Sequence, residues 1–533
     1  MPTALPPATG VNPSGQTDPS WYAAAAAVDA PRHGALAADT AADVCVVGAG
    51  IAGLTSAYLL AKAGRSVVVL DAKPVAGGES GRTSAHLASE VDDRFVEIER
   101  LHGLDGARVQ YESHAAAIDR IEKIAADEGI DCDFARVDAY LFLGGSDTPD
   151  QLDQELAAAR RAGFADAERL EATPTVGFAA GPCLRFPRQG RFHVLKYLLG
   201  LADRLGRMGV RIHANTMVSG MAAEDGKVVV RTRGGPTVTA GAGVAATNVP
   251  SPIENWAGIY TKVAPYRTYM VGLAVPAGAV ADALYWDTID PYHYARLDPA
   301  AGGPGHDLLI VGGEDHKTGQ HTSAAEQAER WAKLERWTRE HFPAAGALTH
   351  RWSGQVYEPD DYVAFIGRVP TSGHENCYVI TGDSGMGMTH GTLGAMLVTD
   401  LILGKPNLWA ALYDPARKAG LKSATEFVKE NLNAAAQYRD YVTPGDVSDP
   451  ATIERGHGAV VRQGLKKVAT YKAADGTVRT CSAVCTHLAG VVRWNDAEQS
   501  WDCPVHGSRF DCDGKVLTGP AVDDLAEVEG TGG

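Results

Sequence analysis

Three glycines at positions 48, 50 and 53 follow directly on a short apolar run, Val44–Val47. An apolar run of this length predicts a strand that is buried on both faces. Residues 54–63 have the apolar spacing of a helix, and a second apolar run, 66–70, ends at Asp71. This order predicts a βαβ unit in which a glycine-rich turn joins the first strand to the helix.

The glycine-rich turn predicts a dinucleotide site. The first glycine permits a tight turn, the second lets a pyrophosphate approach the backbone, and the third lets the helix pack closely on the strand. The helix N-terminus attracts phosphate, and an acid at the end of the second strand can accept a hydrogen bond from a ribose hydroxyl. The alternative is a turn that only packs a helix. The predicted nucleotide-binding residues here are Gly48, Gly50, Ile51, Ala52, Gly53, Asp71 and Ala72.

A second motif lies near the C-terminus, where Cys485-Thr-His487 is followed after fifteen residues by Cys503-Pro-Val-His506. Two thiolates and two imidazoles match the ligands of a Rieske [2Fe–2S] centre, in which two histidines replace two cysteines on one iron. Zinc is the alternative, because Cys₂His₂ sets also bind it. Ser508 is placed to donate a hydrogen bond to a cluster sulfide. Short strands and glycine turns from about residue 452 onward predict an all-β module.

Further segments resemble a known family. Together with the glycine-rich turn, segments 78–86, 214–218 and 382–389 resemble the FAD-dependent oxidoreductases of the D-amino-acid-oxidase-like group, which includes glycine and sarcosine oxidases. The resemblance covers about residues 41–417 and implies an FAD domain whose flavin is roofed by the antiparallel sheet of a substrate domain. It implies these additional FAD-binding residues: Arg82, Thr83, Ser84, Val218, Gly385, Met386, Gly387, Met388 and Thr389.

Segments 309–319, 351–359 and 501–504 extend the resemblance to bacterial flavoproteins fused to a Rieske module. The expected fold is therefore an α/β, Rossmann-like FAD-binding domain with a mixed or antiparallel-sheet substrate domain, plus a C-terminal all-β Rieske domain. We expect an N-terminal arm (1–40), the oxidoreductase (41–442, with nucleotide-binding parts at about 41–100, 190–250 and 360–420), a linker (443–451) and the Rieske domain (452–533).

Many Rieske proteins join their two cluster loops by a disulfide. The resemblance places those two positions at Gly490 (or Ala489) and Val505, so that bridge cannot form in this chain. Cys481 and Cys512 lie just outside the loops. They are either a substitute bridge or unpaired structural thiols.

The same resemblance implies hydride transfer from a C–H bond beside nitrogen to the flavin, with the protein orienting the substrate. A carboxylate substrate would need an arginine, for which Arg185, Arg267 and Arg296 are candidates. Each of these can equally be structural. Tyr294 and His316 are further candidates for the flavin pocket, and His86 lies one residue away from the position at which some relatives attach FAD covalently. The predicted catalytic residues are Arg267, Tyr292, Arg296, Lys317 and Trp352.

Charge and cysteine content limit the partners and the location. The chain has 65 acidic and 49 basic residues, a formal net charge of −16, which disfavours nucleic acid and anionic membrane surfaces. No apolar run approaches the roughly 20 residues of a membrane span, and the N-terminus lacks the pattern of a signal peptide. Two of the eight cysteines are assigned to iron. We expect the others to be reduced, which favours a cytoplasmic location.

Three functions fit these features. In the first, an amine or amino acid is oxidised, and the cluster passes electrons singly to an unidentified acceptor. In the second, a protein donor reduces the cluster, which feeds FAD for a reductase or monooxygenase reaction. In the third, the Rieske module is a redox sensor or a structural staple. The sequence does not give an oligomeric state.

Overall fold

The computed structural model describes residues 14–22, 33–145, 147–174, 176–178, 180–249, 258–299, 301–418 and 424–528. The strands in chain order are β1 (Thr40–Val47), β2 (Val67–Leu70), β3 (His86–Leu87), β4 (Ala135–Phe142), β5 (Glu168–Leu170), β6 (Cys183–Arg191), β7 (Arg211–His213), β8 (Val218–Glu224), β9 (Lys227–Thr232), β10 (Thr237–Asn248), β11 (Val263–Pro276), β12 (Leu284–Asp287), β13 (His293–Asp298), β14 (His306–Lys317), β15 (Leu348–Pro359), β16 (Phe365–Arg368), β17 (Cys377–Thr381), β18 (His457–Gln463), β19 (Lys466–Lys472), β20 (Val478–Ser482), β21 (Arg493–Asn495), β22 (Ser500–Asp502), β23 (Arg509–Phe510) and β24 (Val516–Thr518). The helices are α1 (Ile51–Lys62), α2 (Arg94–Glu128), α3 (Pro149–Arg161), α4 (Val194–Arg207), α5 (Ala324–His341), α6 (Gly387–Ile402), α7 (Ala410–Tyr413) and α8 (Ala424–Ala436).

The first sheet contains the predicted βαβ unit. Its strand order is β16-β17-β10-β1-β2-β7, and β1 pairs in parallel with both β2 and β10. Strand β9 pairs with β10, and β8 pairs with β9. Val44 and Val46 pack into one hydrophobic core, and Cys45 packs into another on the opposite face. Strand β1 is therefore buried on both faces, which explains its continuous apolar sequence.

The second sheet has nine strands in the order β15-β11-β14-β13-β12-β4-β6-β3, with β5 attached to β6. Most of its pairs are antiparallel, and β12 with β4 is parallel. Its long strands β11, β14 and β15 pair side by side. This sheet is the mixed sheet that the family resemblance implied.

Two small antiparallel sheets, β18-β19-β20 and β21-β22-β23-β24, make up the C-terminal module. Trp501 and Phe510 are fully buried and form a core of their own with Trp494. The expected fold class is thus confirmed in its three parts, an α/β domain, a mixed-sheet domain and an all-β module.

Residues 14–22 of the predicted N-terminal arm pack on the first domain. The Ser14 hydroxyl donates to the Gly77 carbonyl at 2.7 Å, and the Trp21 indole donates to the Thr83 carbonyl at 2.7 Å. Several parts of the predicted domains lie outside the described residues. They include the rest of the N-terminal arm (1–13 and 23–32), residue 250 at the end of the nucleotide-binding segment 190–250, and residues 529–533 at the end of the Rieske domain. None of the helices that the structure describes has both the length and the apolar character needed to span a bilayer.

Candidate functional site

A cavity of about 310 Å³ is lined by residues of both large sheets. The glycine-rich turn, the loop before β3 and the start of α6 line it from the first domain, while β11, β13, β14 and β15 line it from the second. Residues 516–522 of the C-terminal module also line it. All three parts of the chain therefore build one site.

Each of the three glycines of the turn lies close to a different oxygen atom. Gly48 has φ +113°, and a Cβ there would lie 2.4 Å from the Ala246 carbonyl oxygen. A Cβ on Gly50 would lie 2.7 Å from the Ser80 hydroxyl oxygen, and one on Gly53 would lie 1.8 Å from the Gly48 carbonyl oxygen. Gly48 and Gly50 line the cavity, whereas Gly53 does not and instead allows helix α1 to approach the turn.

Asp71 closes the nucleotide end of the cavity. Its carboxylate accepts hydrogen bonds from the backbone N–H groups of Ala49, at 2.5 Å, and Lys73, at 2.8 Å. Burial raises the pKa of Asp71, and these two bonds oppose that rise. The side chain is thereby fixed beside the glycine-rich turn, where a ribose hydroxyl would meet it.

The four predicted cluster ligands lie on two facing loops. The Cys485 N–H donates to the Gly490 carbonyl at 2.8 Å, and the Cys503 N–H donates to the Ser508 carbonyl at 2.8 Å, so each loop is closed by its own backbone bond. The rings of His487 and His506 have centroids 5.2 Å apart. Both cysteines are buried.

The electrostatics of these loops suit metal binding. Hydrogen bonds with Cys503, with the backbone of His487 and Leu488 and with Ser508 together lower the pKa of Cys485 to about 7, against the effect of burial. The buried Nε2 atom of His487 has no hydrogen-bond partner. Within the described residues no three His, Cys, Asp or Glu side chains converge on one metal-ion position. Two pairs of ligands suit a two-iron cluster, in which each iron takes two protein ligands.

Sequence comparison agrees with both sites. The family described as FAD dependent oxidoreductase (DAO) matches residues 43–401. The chain belongs to this family. The Rieske [2Fe-2S] domain matches residues 444–529, and such domains bind a [2Fe–2S] cluster, so the cluster assignment stands in place of zinc.

One relative matches nearly the whole chain, and others match about 70% of it. The Rieske 2Fe-2S iron-sulfur protein YhfW of Bacillus subtilis is 28% identical over 94% of this chain and 96% of its own length. Gamma-glutamylputrescine oxidoreductase of Escherichia coli is 26% identical over 72% of this chain and 89% of its own length. The crystal structure of glycine oxidase from Geobacillus kaustophilus superposes with a TM-score of 0.59 at 18% identity, covering 71% of this chain and 100% of that one, and shows the fold.

The cavity fits FAD. Gly385 lines the cavity with φ +68°, and a Cβ there would lie 2.7 Å from the Asp92 carboxylate, so this position favours a residue without a side chain. Asp383 and His390 line the cavity, and the buried Oδ1 atom of Asp383 and Nε2 atom of His390 have no hydrogen-bond partner among the described residues. Fourteen of the sixteen predicted FAD-binding residues line the cavity. They are Gly48, Gly50, Ile51, Ala52, Asp71, Ala72, Arg82, Thr83, Ser84, Val218, Gly385, Met386, Gly387 and Met388.

Thr389, like Gly53, lies behind the cavity wall. Its hydroxyl donates to the Met386 carbonyl at 3.1 Å and is 2.8 Å from Nδ1 of His114. Thr389 therefore holds the start of helix α6 in place and does not face the cofactor site.

Of the five predicted catalytic residues, only Tyr292 lines the cavity. Its hydroxyl donates to the Asp92 carboxylate at 2.5 Å. Lys317 forms an ion pair with Glu430 of α8, outside the cavity. Trp352 is fully buried, and its indole N–H donates to the Arg82 carbonyl at 2.9 Å.

The predicted substrate-binding arginines are bound elsewhere. Arg267 donates to the Ser353 hydroxyl at 2.8 Å, and Arg296 donates to the Ala85 carbonyl at 2.9 Å. Arg185 pairs with carboxylates of the second domain at 2.8 and 2.5 Å. None of these three lines the cavity, so none is placed to bind a substrate carboxylate there.

His86 and Tyr294 do line the cavity, and His316 does not. The ring nitrogens of His86 lie 3.0 Å from the Ser84 hydroxyl and 3.2 Å from the Ala295 carbonyl. Covalent attachment of FAD to His86 stays a prediction. All eight cysteines are free in this structure, so the substitute bridge between Cys481 and Cys512 is not formed.

Sequence reasoning missed the cavity residues Glu90, Asp92 and Asp315 and the lining segment 516–522. Glu90 and Asp92 lie in a loop and Asp315 near the end of a strand, where no motif marks a carboxylate as functional. The role of 516–522 depends on how the module docks, which has no local sequence signal.

Two side chains connect the cavity to the cluster loops. Gln355 of β15 lines the cavity, and its side-chain amide donates to the Gly507 carbonyl at 2.9 Å. The Tyr357 hydroxyl lies 3.4 Å from the carbonyls of His506 and Gly519. Gly507 directly follows the ligand His506, so one side chain separates the cavity from the second cluster loop.

Aromatic contacts also hold the cluster loops. The ring of Tyr260 lies edge-on to both ligand rings, with centroids 5.8 Å from His487 and 5.3 Å from His506. The hydroxyls of Tyr438 and Tyr441, which follow α8, donate to carbonyls of the first cluster loop at 2.6 Å each. The Rieske loops are thus packed against the same chain's oxidoreductase part.

Proposed function

We propose that this chain oxidises an amine or amino acid by hydride transfer to FAD, and that the electrons leave singly through the Rieske cluster to an acceptor. The similarity to a gamma-glutamylputrescine oxidoreductase supports a nitrogen-bearing substrate. The similarity to solved amino-acid oxidases supports the fold on which such chemistry takes place.

The contact of Gln355 with the second cluster loop is the observation that best supports the electron relay. This side chain lines the cavity and also donates to the carbonyl of Gly507, next to an iron ligand. A redox centre held this close to the flavin cavity by the same chain is placed to exchange electrons with it. Docking of this kind would serve no purpose for a module that only extended the chain.

FAD, when bound, would supply the acceptor for a hydride from the carbon beside the substrate nitrogen; that nitrogen must also give up a proton for the C–N bond to become an imine. A Rieske cluster would carry the electrons one at a time. The protein binds the cofactor and the substrate and orients them. The glycine-rich turn and Asp71 hold the nucleotide, and Tyr292 fixes Asp92 at the other end of the cavity. Residues 516–522 line the cavity and would limit the access of water to it.

An anaerobic titration tests the proposal. An oxidisable amine or amino acid, found by screening for flavin bleaching, should bleach the flavin and also produce the EPR signal of the reduced cluster. In the Cys503→Ser variant, which lacks one ligand, the same substrate should still bleach the flavin, but an external one-electron acceptor should be reduced far more slowly.

Three results would contradict the relay. The first is a cluster that remains oxidised while the flavin is fully reduced. The second is a Cys503→Ser variant that reduces the acceptor at the wild-type rate, which is expected if the module is a redox sensor or a structural staple. Alternatively, a reduced protein donor would reduce cluster and flavin while no amine does, which would establish the opposite direction of flow.

A further inference from the structure

One end of the cavity gathers carboxylates. Asp92 lies in the loop after β3 and Asp315 near the end of β14, and both line the cavity beside Tyr292 and Tyr294. Tyr292 donates to Asp92 at 2.5 Å, and the two tyrosine rings have centroids 5.6 Å apart. Glu90 lines the cavity as well. Aromatic faces and acids therefore surround the same space.

Tyr292 donates to one oxygen of Asp92 and Thr268 hydrogen-bonds Asp315, but several oxygens of these three carboxylates have no partner in the described part of the chain. Glu90 is 1% exposed, and both of its carboxylate oxygens are without a hydrogen-bond partner among the described residues. The Oδ1 atoms of Asp92 and Asp315 are likewise buried and unpartnered. Burial raises the pKa of Asp92 to about 6 and that of Asp315 to about 7. Unsatisfied buried acids of this kind are costly unless a ligand completes them.

The cationic side chains that line the cavity are bound to other partners. Among the described residues, the lysine and arginine side chains that line the cavity are Lys73 and Arg82. Lys73 donates to the Ser14 hydroxyl at 2.7 Å, and Arg82 is ion-paired with Glu498 at 2.7 Å. Burial and the nearby Arg296 lower the pKa of His86 to about 3, so its ring is neutral.

Two further arginines come near the carboxylates without lining the cavity. Burial raises the pKa of Glu90 well above its usual range, and Arg94, which opposes that rise, donates to the Thr288 carbonyl. Arg330 lowers the pKa of Asp315 but donates to the Glu314 carbonyl at 3.1 Å. Each of these two guanidinium groups therefore hydrogen-bonds to a backbone carbonyl and not to a carboxylate of the cavity.

FAD adds no cationic group to this end. Its pyrophosphate is negative, and its N–H and ribityl hydroxyl donors are neutral. A positively charged molecule would supply the charge that both the lining side chains and the cofactor lack. A substrate carboxylate here would face acids without a free arginine, which is unfavourable.

We infer that this end of the cavity binds the substrate as an ammonium ion with no carboxylate beside its nitrogen, held by Asp92 and Asp315. The faces of Tyr292 and Tyr294 add cation–π attraction. The inference rests on the proposed function and narrows it, because it selects simple amines over α-amino acids. The substrate class is an alkyl amine or a polyamine.

Isothermal titration calorimetry on the anaerobic holoenzyme, with FAD and cluster bound, tests the inference. Pentylamine and norleucine differ only in the carboxylate, and pyrrolidine and proline form a second such pair. We expect each amine to bind about tenfold or more tightly than its amino acid, since one charge-assisted contact has that effect. Flavin absorbance, recorded in parallel, reports oxidation.

Charge-removing variants give a second measurement. Asp92→Asn and Asp315→Asn should each weaken pentylamine binding about tenfold or more, and should not weaken norleucine. Glu97→Gln is the control, because Glu97 pairs with Arg100 at 2.7 Å on the exposed face of α2. Unchanged flavin and iron content shows that the variants are folded.

The outcomes separate the inference from the proposed function. Tighter binding of the amino acids than of the amines would overturn the inference, and so would variants that bind pentylamine as the wild type does. In either case, flavin bleaching by an amino acid would still support the proposed function. Amines that bind but never bleach the flavin would support the inference and count against the function. Binding of neither class would overturn the inference.

Discussion

Glu498 of the Rieske module is a buried anchor on the oxidoreductase part. Its fully buried carboxylate accepts hydrogen bonds from Arg82 at 2.7 Å and from the Thr17 hydroxyl at 2.5 Å, and the Ser353 hydroxyl also donates to it. Arg267 lies 3.9 Å away. We predict that Glu498→Gln loosens the docking of the module, because it leaves buried guanidinium groups without their counterion.

The magnitude follows from the pKa of this carboxyl group. Burial alone would raise the pKa of Glu498, but Arg82, Arg267 and Arg509 together lower it to about 2. An unperturbed glutamate has a pKa of about 4.3, and the difference corresponds to about 3 kcal/mol of folding free energy at neutral pH. Breaking a buried ion pair from one side costs a similar amount.

Urea unfolding of the holoenzyme at pH 7, followed by tryptophan fluorescence, measures this cost. Glu498→Gln should lower the free energy of unfolding by about 3 kcal/mol, whereas Glu454→Gln, which removes an exposed carboxylate of the same module, should have almost no effect. A loss below about 1 kcal/mol for Glu498→Gln would refute the reasoning, because exposed pairs already contribute that much.

The pH dependence has a definite sign. Because the folded-state pKa of Glu498 lies below its unfolded value, the carboxylate stabilises the fold above about pH 4.3. That stabilisation is lost as the pH falls towards 2. The difference in stability between wild type and Glu498→Gln should therefore shrink to about half at pH 3.

Three further variants test the cofactor sites. Gly53→Ala should abolish FAD retention through gel filtration, because its Cβ would lie 1.8 Å from a backbone carbonyl oxygen, while Gly206→Ala, with open space around it, should keep FAD. Cys503→Ser should lose iron and the Rieske EPR signal, whereas Cys512→Ser should keep both. Gln355→Leu removes the bond to the second cluster loop and should slow cluster reduction about tenfold in stopped-flow measurements, with flavin reduction unchanged. Equal FAD in both glycine variants, or a cluster that survives Cys503→Ser, would contradict these assignments.

The catalytic predictions show where sequence reasoning fails. Arg267, Arg296 and Lys317 have side chains suited to binding a substrate, but the structure pairs them with Ser353, a backbone carbonyl and Glu430. Residue type restricts what a side chain can bind. It does not determine which partner the side chain binds in the folded protein, because that partner lies on another strand or domain.

By itself the sequence determined the two cofactor sites. The glycine-rich turn and the four cluster ligands are each set by a short segment whose spacing fixes local backbone geometry, so they can be found without a fold. Only the tertiary structure decided that the Rieske module docks over its own flavin cavity and that Glu90, Asp92 and Asp315 face that cavity. These features depend on contacts between residues far apart in the chain, and local spacing carries no record of such contacts.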